Sequence, residues 1–303
     1  MSRVVVTGVN GFVGRHLARE LAGHGHEVVG VGHEDDAQTE ALVDYRAHDL
    51  LTGWPEGLEA DAVVHLAGLS AVGPSFADPQ RYLEQNSAMV THLGETLMRT
   101  GSSVRVLVVS SGAVYDPHQE LPLTEDGRIG HTSPYVVSKL LVEHQVSYYA
   151  ARGLDAVVVR PFNHIGPGQG SGFLVPDLHD AAGRAVTGDG VLRVGDLETR
   201  RDYTDVRDVA RAYRLLLEAD VLEHRLFNVC SGRSWSGREL YELLAGAAGL
   251  EGLTVEIDPA RIRPGDPREV VGSAERLRAA VGWEPEIDLA TSVGDFVAAA
   301  RDR

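Results

Sequence analysis

Apolar positions along the chain fall into short β-branched runs separated by longer stretches with helical spacing. Arg3 to Thr7 (RVVVT), Glu27 to Val31, a short run ended by Asp49, Asp61 to Ala67 (DAVVHLA), Val104 to Ser110 (VRVLVVS) and Leu154 to Arg160 (LDAVVVR) read as strands. Arg3 to Thr7 is β-branched without polar alternation, which predicts a strand buried on both faces of a parallel sheet. Helical patterns run up to Gly23, from about Asp78 to Arg99, and through the segment that carries SPYVVSK at Ser133. Strands alternating with helices at this spacing predict an α/β fold with a doubly wound parallel sheet. From Arg160 to Phe173 the texture changes to RPFNHIGPGQGSGF, a Gly- and Pro-rich loop, and Pro264, Pro267 and Pro285 break the pattern farther on. The predicted organisation is one α/β domain over residues 1–164, with 205–235 returning to it and Phe227 to Cys230 rejoining its sheet, followed by a smaller α/β lobe over 165–303.

Composition narrows the chemistry. A length of 303 residues suits one large domain with a smaller lobe. The net charge of −16 argues against nucleic acid or an anionic membrane as a partner, so an anionic substrate must be held by local arginines. Cys230 is the single cysteine, which allows no internal disulfide and fits a reducing compartment. Neither a signal peptide nor an apolar run of about 18 residues is seen, so the expected setting is the cytoplasm.

Two stretches carry candidate chemistry. GVNGFVG, with Gly8, Gly11 and Gly14, lies between the first strand and the first helix. Glycines there let backbone approach a pyrophosphate, and the helix presents its N-terminal amides and positive dipole end. The second strand ends in Gly32, His33, Glu34 and Asp35. An NAD site usually has an acidic side chain at this tip; Gly32 leaves room for a 2′-phosphate, while Glu34 and Asp35 still offer a carboxylate. NADP(H) is therefore favoured over NAD(H). The second stretch is SPYVVSK. All 28 basic residues are arginine except Lys139, which lies four residues after Tyr135. On a helix the two share a face, and the ammonium favours the phenolate. Moving a tyrosine from about 10 to about 7 takes roughly 4 kcal/mol of differential interaction.

These pieces occur together with others. TGVNGFVG from Thr7, DAVVHLAG from Asp61, SSGAVY from Ser110, PYVVSK from Pro134, RPFN from Arg160 and RDYTDVRD from Arg201 resemble the extended short-chain dehydrogenase/reductases that act on nucleotide sugars, and RIRPGD around Arg263 extends the likeness. The resemblance implies a Rossmann domain, an NAD(P) cofactor, a nucleotide-sugar substrate and a homodimer formed through the helix bearing Tyr135 and the helix before it. It implies Tyr135 as proton donor to a keto oxygen, Lys139 as the group that lowers its pKa and holds the nicotinamide ribose, and Ser111 as a hydrogen-bonding partner of the same oxygen. Cofactor contacts are implied at Gly8, Asn10, Gly11, Phe12, Gly14, His33, Asp49, Leu50, Leu66, Ala67 and Pro161, with Asp49 against adenine. Substrate contacts are implied at Asn163, Val175, Arg193, Arg201 and Arg263, where guanidinium forks suit a diphosphate. His65 is expected to pack inside the sheet, and no metal is expected: Asp202, Asp205 and Asp208 read as capping and structural residues.

Position 113 discriminates among reactions. Family dehydratases place a Glu two residues before the position of Tyr115, and the epimerase-reductases that make GDP-fucose place a Cys. This chain has Gly112 and Ala113, neither of which moves a proton. The expected activity is therefore plain hydride chemistry, reduction of the C4 keto group of a nucleotide-linked 4-keto-6-deoxyhexose. RPFNHIGPGQ, FLVP from Phe173 and RVGDLETRRDYTDVRDV from Arg193 resemble GDP-4-dehydro-6-deoxy-D-mannose reductases, which makes GDP the expected nucleotide. A 4-epimerase with retained NAD is the same-class alternative, and a non-catalytic nucleotide-binding sensor the alternative from another class.

Overall fold

Strand β1 (Arg3–Thr7) sends Val4 and Val6 to one side of the sheet and Val5 to the other, and all three are buried. Two apolar faces on one strand explain a run with no polar alternation. The computed structural model describes the whole chain except residues 102–103, 251, 263–264 and 302–303. Its central sheet comprises β1, β2 (Glu27–Gly32), β3 (Asp44–Ala47), β4 (Ala62–His65), β5 (Arg105–Val109), β6 (Ala156–Pro161) and β10 (Leu226–Val229), seven strands in the order β10-β6-β5-β4-β1-β2-β3. Every pairing is parallel. The order reverses at β1, which opens a crevice above the carboxyl ends of β1 and β4 where ligands of such sheets bind.

Helices cover both faces. On one, α1 (Phe12–Gly23) and α6 (Val206–Glu218) bury Leu17, Leu21, Val209 and Tyr213 against the Val4 side. On the other, α3 (Pro79–Thr100) and α4 (Pro134–Ala151) bury Leu93, Leu97, Val142 and Val146 against the Val5 side. A short α2 (Val72–Ser75) precedes α3. Asp78 stands just outside α3 and caps it by accepting from the Arg81 amide.

The remaining elements build a second core. In a small sheet β9 (Arg200–Asp205) is flanked by β7 (Asn163–Ile165), β11 (Ser234–Ser236) and β13 (Glu269–Val270), while β8 (Val191–Val194) pairs with β12 (Thr254–Ile257). Helices α5 (Leu174–Thr187), α7 (Gly237–Ala248) and α9 (Leu289–Arg301) close over Ile165, Leu192 and Leu197. Leu277 of α8 (Glu275–Val281) and Trp283 lie in the stretch that the sequence reading assigns to the lobe. Both are fully buried in the first core, against the α1 and α6 side of the central sheet.

The three aspartates of RDYTDVRD hold these parts together. Asp202 accepts from the amides of Ser231, Gly232 and Gly272. Asp205 caps α6 through the Arg207 amide. Asp208 is 2% exposed, and its Oδ2 accepts from the Glu286 and Ile287 amides at 3.0 and 2.9 Å. Asp208→Ala would leave two part-buried amides and the Arg211 guanidinium without their carboxylate, at a cost of roughly 2 kcal/mol. Urea unfolding should show that loss; a variant within about 0.5 kcal/mol of the parent would contradict the structural role.

Candidate active site

Three backbone features create the floor of the crevice. Gly8 sits at φ +65°, and a Cβ there would come within 2.9 Å of the Ala67 amide nitrogen. A Cβ on Gly14 would stand 2.4 Å from the Gly8 carbonyl oxygen, so α1 starts hard against the turn. No side chain caps α1 at Gly11, which leaves its first amides and the dipole end directed outward. An anionic pyrophosphate fits such a cradle. Phe12 stacks on His164 at 5.9 Å and meets His16 edge-on at 5.6 Å, and the Arg15 and His16 side chains bond the Gly168 and Pro167 carbonyls at 3.1 and 2.9 Å. These contacts tie the glycine turn to the RPFNHIGPGQ loop. Leu66 and Ala67 follow β4, and Pro161 ends β6, all at the same edge of the sheet.

Helix α4 places the reactive groups. Ser133 caps it by accepting from the Val136 amide at 3.2 Å, and Pro134 opens the first turn. Tyr135 and Lys139 then lie one turn apart, both buried, with Nζ 5.9 Å from the centre of the tyrosine ring. Tyr82 packs edge-on against the same ring. Ser111 begins the short 3-10 turn Gly112–Val114, where its Oγ accepts from the Ala113 amide at 3.1 Å. Ala113 itself is exposed, and Gly112 is pressed so close to Phe162 that a Cβ would come within 2.8 Å of the ring. His65 is buried within the sheet as expected, with Nδ1 2.9 Å from Thr7 Oγ1; burial pushes its imidazole down to about 3.

The electrostatics correct one expectation. Lys139 was expected to lower Tyr135, but its ammonium donates to the Val109 carbonyl at 3.0 Å, and burial holds the phenol above the usual tyrosine value. The Ser111 hydroxyl opposes that rise and favours phenolate. Burial also brings Lys139 down to about 8, while the Glu143 carboxylate raises it. At neutral pH the site therefore holds a protonated phenol beside a charged ammonium.

Glu143, one turn beyond Lys139, went unmarked in the sequence reading. It takes a two-point ion pair from Arg160, with Nε–Oε1 2.8 Å and Nη2–Oε2 2.6 Å, and a hydrogen bond from Ser110 Oγ at 2.5 Å. Arg160 also lies 4.8 Å from the Tyr115 ring, and the Tyr115 hydroxyl donates to Asn228 Oδ1 at 2.6 Å. Helical spacing would have found Glu143 on the Tyr135 face. Asn228 gives no such signal, since it reaches Tyr115 only through the pairing of β10 with β6.

Other expected contacts are placed differently. The Asn10 side chain is committed to protein: Nδ2 donates to Glu34 Oε2, the Asp36 carbonyl and Tyr45 Oη, and Oδ1 accepts from Gln38. Gly32 does not leave open space, because a Cβ would meet Tyr45 Oη at 2.6 Å and Glu34 Oε2 at 2.9 Å. His33 is largely exposed beside them. Asp49 uses its carboxylate to cap a turn at the Leu51 amide, and Leu50 is buried in the second face of the core. Asn163 is exposed at the start of β7, whereas Val175 is buried in the lobe core. Arg201 pairs with Asp266 at 2.7 Å, and Arg193 with Asp189 at 2.8 Å. Their guanidinium groups already have carboxylate partners within the chain. Arg263 lies outside the described residues. Among the described residues no group of three or more His, Cys, Asp or Glu is placed to hold a metal, and no helix is long and apolar enough to cross a membrane.

Comparison with known proteins bears on this arrangement. The model of the NAD dependent epimerase/dehydratase family matches residues 4–230. GDP-6-deoxy-D-mannose reductase of Pseudomonas aeruginosa is 39% identical over 301 residues, covering 96% of this chain and 94% of the relative. UDP-glucose 4-epimerase of Corynebacterium glutamicum is 32% identical, covering 99% and 97%. Among solved structures, that of RMD from Pseudomonas aeruginosa complexed with NADPH superposes with a TM-score of 0.85 at 36% identity, covering 99% of this chain and 100% of that one. MoeE5 in complex with UDP-glucose and NAD gives 0.84 at 28% identity, with 99% of each chain covered. A glycine cradle under a buried Tyr–Lys pair, matched along nearly the whole length, establishes that the chain belongs to the NAD dependent epimerase/dehydratase family.

Proposed function

We propose that the chain is an NAD(P)H-dependent reductase that converts the C4 keto group of a nucleotide-linked 4-keto-6-deoxyhexose to the alcohol, with GDP-4-keto-6-deoxy-D-mannose as substrate. The observation that carries this reading is the protonated, buried Tyr135 beside Ser111 and Lys139, next to a loop with only Gly112 and Ala113 where other proton chemistry would need an acid or a thiol. A bound NAD(P)H supplies the hydride. Tyr135 Oη gives its proton to the sugar oxygen, Ser111 Oγ hydrogen-bonds that oxygen, and Lys139 and Ser111 stabilise the phenolate left behind. The same tyrosine could serve a 4-epimerase, so the choice of the reductase rests on the 39% identity to GDP-6-deoxy-D-mannose reductase against 32% to the UDP-glucose 4-epimerase of Corynebacterium glutamicum. The 39% identity to GDP-6-deoxy-D-mannose reductase supports the sugar and the nucleotide. Asn163, exposed beside the cradle loop, is the proposed diphosphate contact, and Arg193 and Arg201 would have to exchange their carboxylate partners for phosphate.

Two copies are proposed to pair through α3 and α4. Val137, Leu141 and Tyr148 stand partly exposed along one face of α4 and support that pairing. The buried thiol of Cys230 and the acidic composition fit a cytoplasmic enzyme.

With GDP-4-keto-6-deoxy-D-mannose, absorbance at 340 nm should fall on addition of NADPH or NADH. Interconversion of finished nucleotide sugars on copurified NAD, with no consumption of added NAD(P)H, would contradict the reductase and favour the epimerase. Tyr135→Phe should lower kcat by about 10²–10⁴-fold with dinucleotide binding retained; a variant that keeps most of its turnover would remove Tyr135 from the mechanism. The pH dependence follows from Lys139. Burial lowers it to about 8, so the ammonium is fully present below that pH and is lost as pH rises through it. The rate constant kcat/KM for reduction should fall on that alkaline limb. Glu143→Gln removes the group that raises Lys139 and should move the limb to lower pH; an unmoved limb would show that Glu143 only supports the fold.

A further inference from the structure

We propose that the loop after β4, through Leu69 and Val72, forms the wall that receives the C6 methyl group of the sugar, and that this wall selects 6-deoxyhexoses over hexoses with a C6 hydroxyl. The inference rests on the reductase reading above and assigns residues to its choice of sugar. In that reading Tyr135 Oη and Ser111 Oγ meet the C4 oxygen. C6 hangs on C5, the carbon next to C4, so it is carried close to the side chains that line the Tyr135 ring.

Those side chains are apolar. Tyr82 and Val114 are buried in one cluster with Tyr135, and Leu69, Val72 and Ile129 pack on that cluster while staying partly open. The Tyr82 hydroxyl is already spent, since it donates to the Ala71 carbonyl at 2.7 Å. Residues 66–77 (LAGLSAVGPSFA) include no charged side chain, in a chain where 24% of residues are charged. Of the two hydroxyls in this stretch, Ser75 is buried and donates to the Val72 carbonyl at 2.6 Å, and Ser70 is exposed. A C6 hydroxyl pressed against Leu69 and Val72 would give up water without a fixed partner, whereas a methyl group gives up nothing.

The wall is fixed to the helix that carries Tyr135. Asn86, 2% exposed on α3, accepts from the Leu69 amide at 2.8 Å and donates to the Leu69 carbonyl at 3.2 Å. The same side chain donates to Ser138 Oγ at 2.9 Å, and Ser138 donates to the Tyr135 carbonyl at 2.7 Å. Gly68 passes so near Lys139 that a Cβ there would stand 3.7 Å from Nζ. One amide side chain thus sets the distance between the loop and the reacting phenol. An apolar wall rejects an added hydroxyl by at most about 100-fold, and a wall that is partly open to water belongs at the lower end of that range.

Calorimetric titration of the purified chain with GDP-6-deoxy-D-mannose, GDP-D-mannose and GDP tests the wall without any turnover. The two sugars differ only at C6. GDP-6-deoxy-D-mannose should bind about tenfold tighter than GDP-D-mannose. In Val72→Thr, which keeps the shape and adds a hydroxyl, the ratio should shrink to within about threefold while the affinity for GDP stays as in the parent. Equal binding of the two sugars to the parent chain, or a ratio unaltered in Val72→Thr, would overturn the inference and leave the reductase reading standing. A GDP affinity that falls in Val72→Thr along with that of both sugars would show Val72 to be structural and overturn it too. GDP-D-mannose preferred by the parent, with the preference lost in Ser70→Ala, would overturn it in favour of a hydroxyl contact. Failure of all three ligands to bind would end the GDP reading and this inference with it.

Discussion

The structure depends most on keeping one ammonium charged in a place with little water. Lys139 is 7% exposed, and burial lowers its hold on the proton. Glu143 opposes that loss from one turn away, while Val109 accepts a hydrogen bond from the ammonium. Glu143 is itself a part-buried carboxylate and is held by Arg160, whose guanidinium lies against Tyr115. A buried ion pair of this kind adds little net stability compared with apolar packing. Its value here is positional, since it fixes the charge that is proposed to help Tyr135 give up a proton.

The same elements bring cofactor and substrate together. Helix α1 carries the glycine cradle at its start and, through Phe12, Arg15 and His16, grips His164 and the Pro167–Gly168 turn that follows Asn163. Asn163 opens β7, which pairs in parallel with β9 and its arginines. Asp202 and Asp208 then tether β9 and α6 to segments near Gly272 and Ile287. The cradle and the lobe are thereby referred to one rigid frame, as the proposed hydride transfer over a short distance requires.

Much of this was legible in the sequence, for reasons that differ by element. The β-branched run of β1, without alternation, could only be a doubly buried strand, whereas the strand read as ending at Asp49 ends at Ala47 and is a half-exposed edge of the sheet. The spacing of Tyr135 and Lys139 put them on one face because a helix repeats every 3.6 residues. What spacing does not carry is depth. The sign of the Tyr135 shift turned on burial, and the expected lowering gave way to a rise. At Gly32 an absent side chain reads as space, whereas Tyr45, on the neighbouring strand, stands where a Cβ would be. The Asn10 side chain ties the glycine turn to segment 34–38, a long-range contact that its place in the turn does not announce. Asn228 and Tyr115 meet across 113 residues of chain, a contact that no local pattern announces.

The central claim is that Tyr135 delivers a proton to the C4 oxygen while nothing in the site exchanges protons at the neighbouring carbons. The most direct measurement is NMR of the product formed from GDP-4-keto-6-deoxy-D-mannose, once with nicotinamide deuterated at C4 in ordinary water and once with ordinary cofactor in deuterium oxide. A deuterated cofactor should place deuterium at C4 of the sugar, and deuterium oxide should leave C3 and C5 unlabelled. Solvent deuterium at C3 or C5, or a C4 position that carries none from the cofactor, would contradict the account.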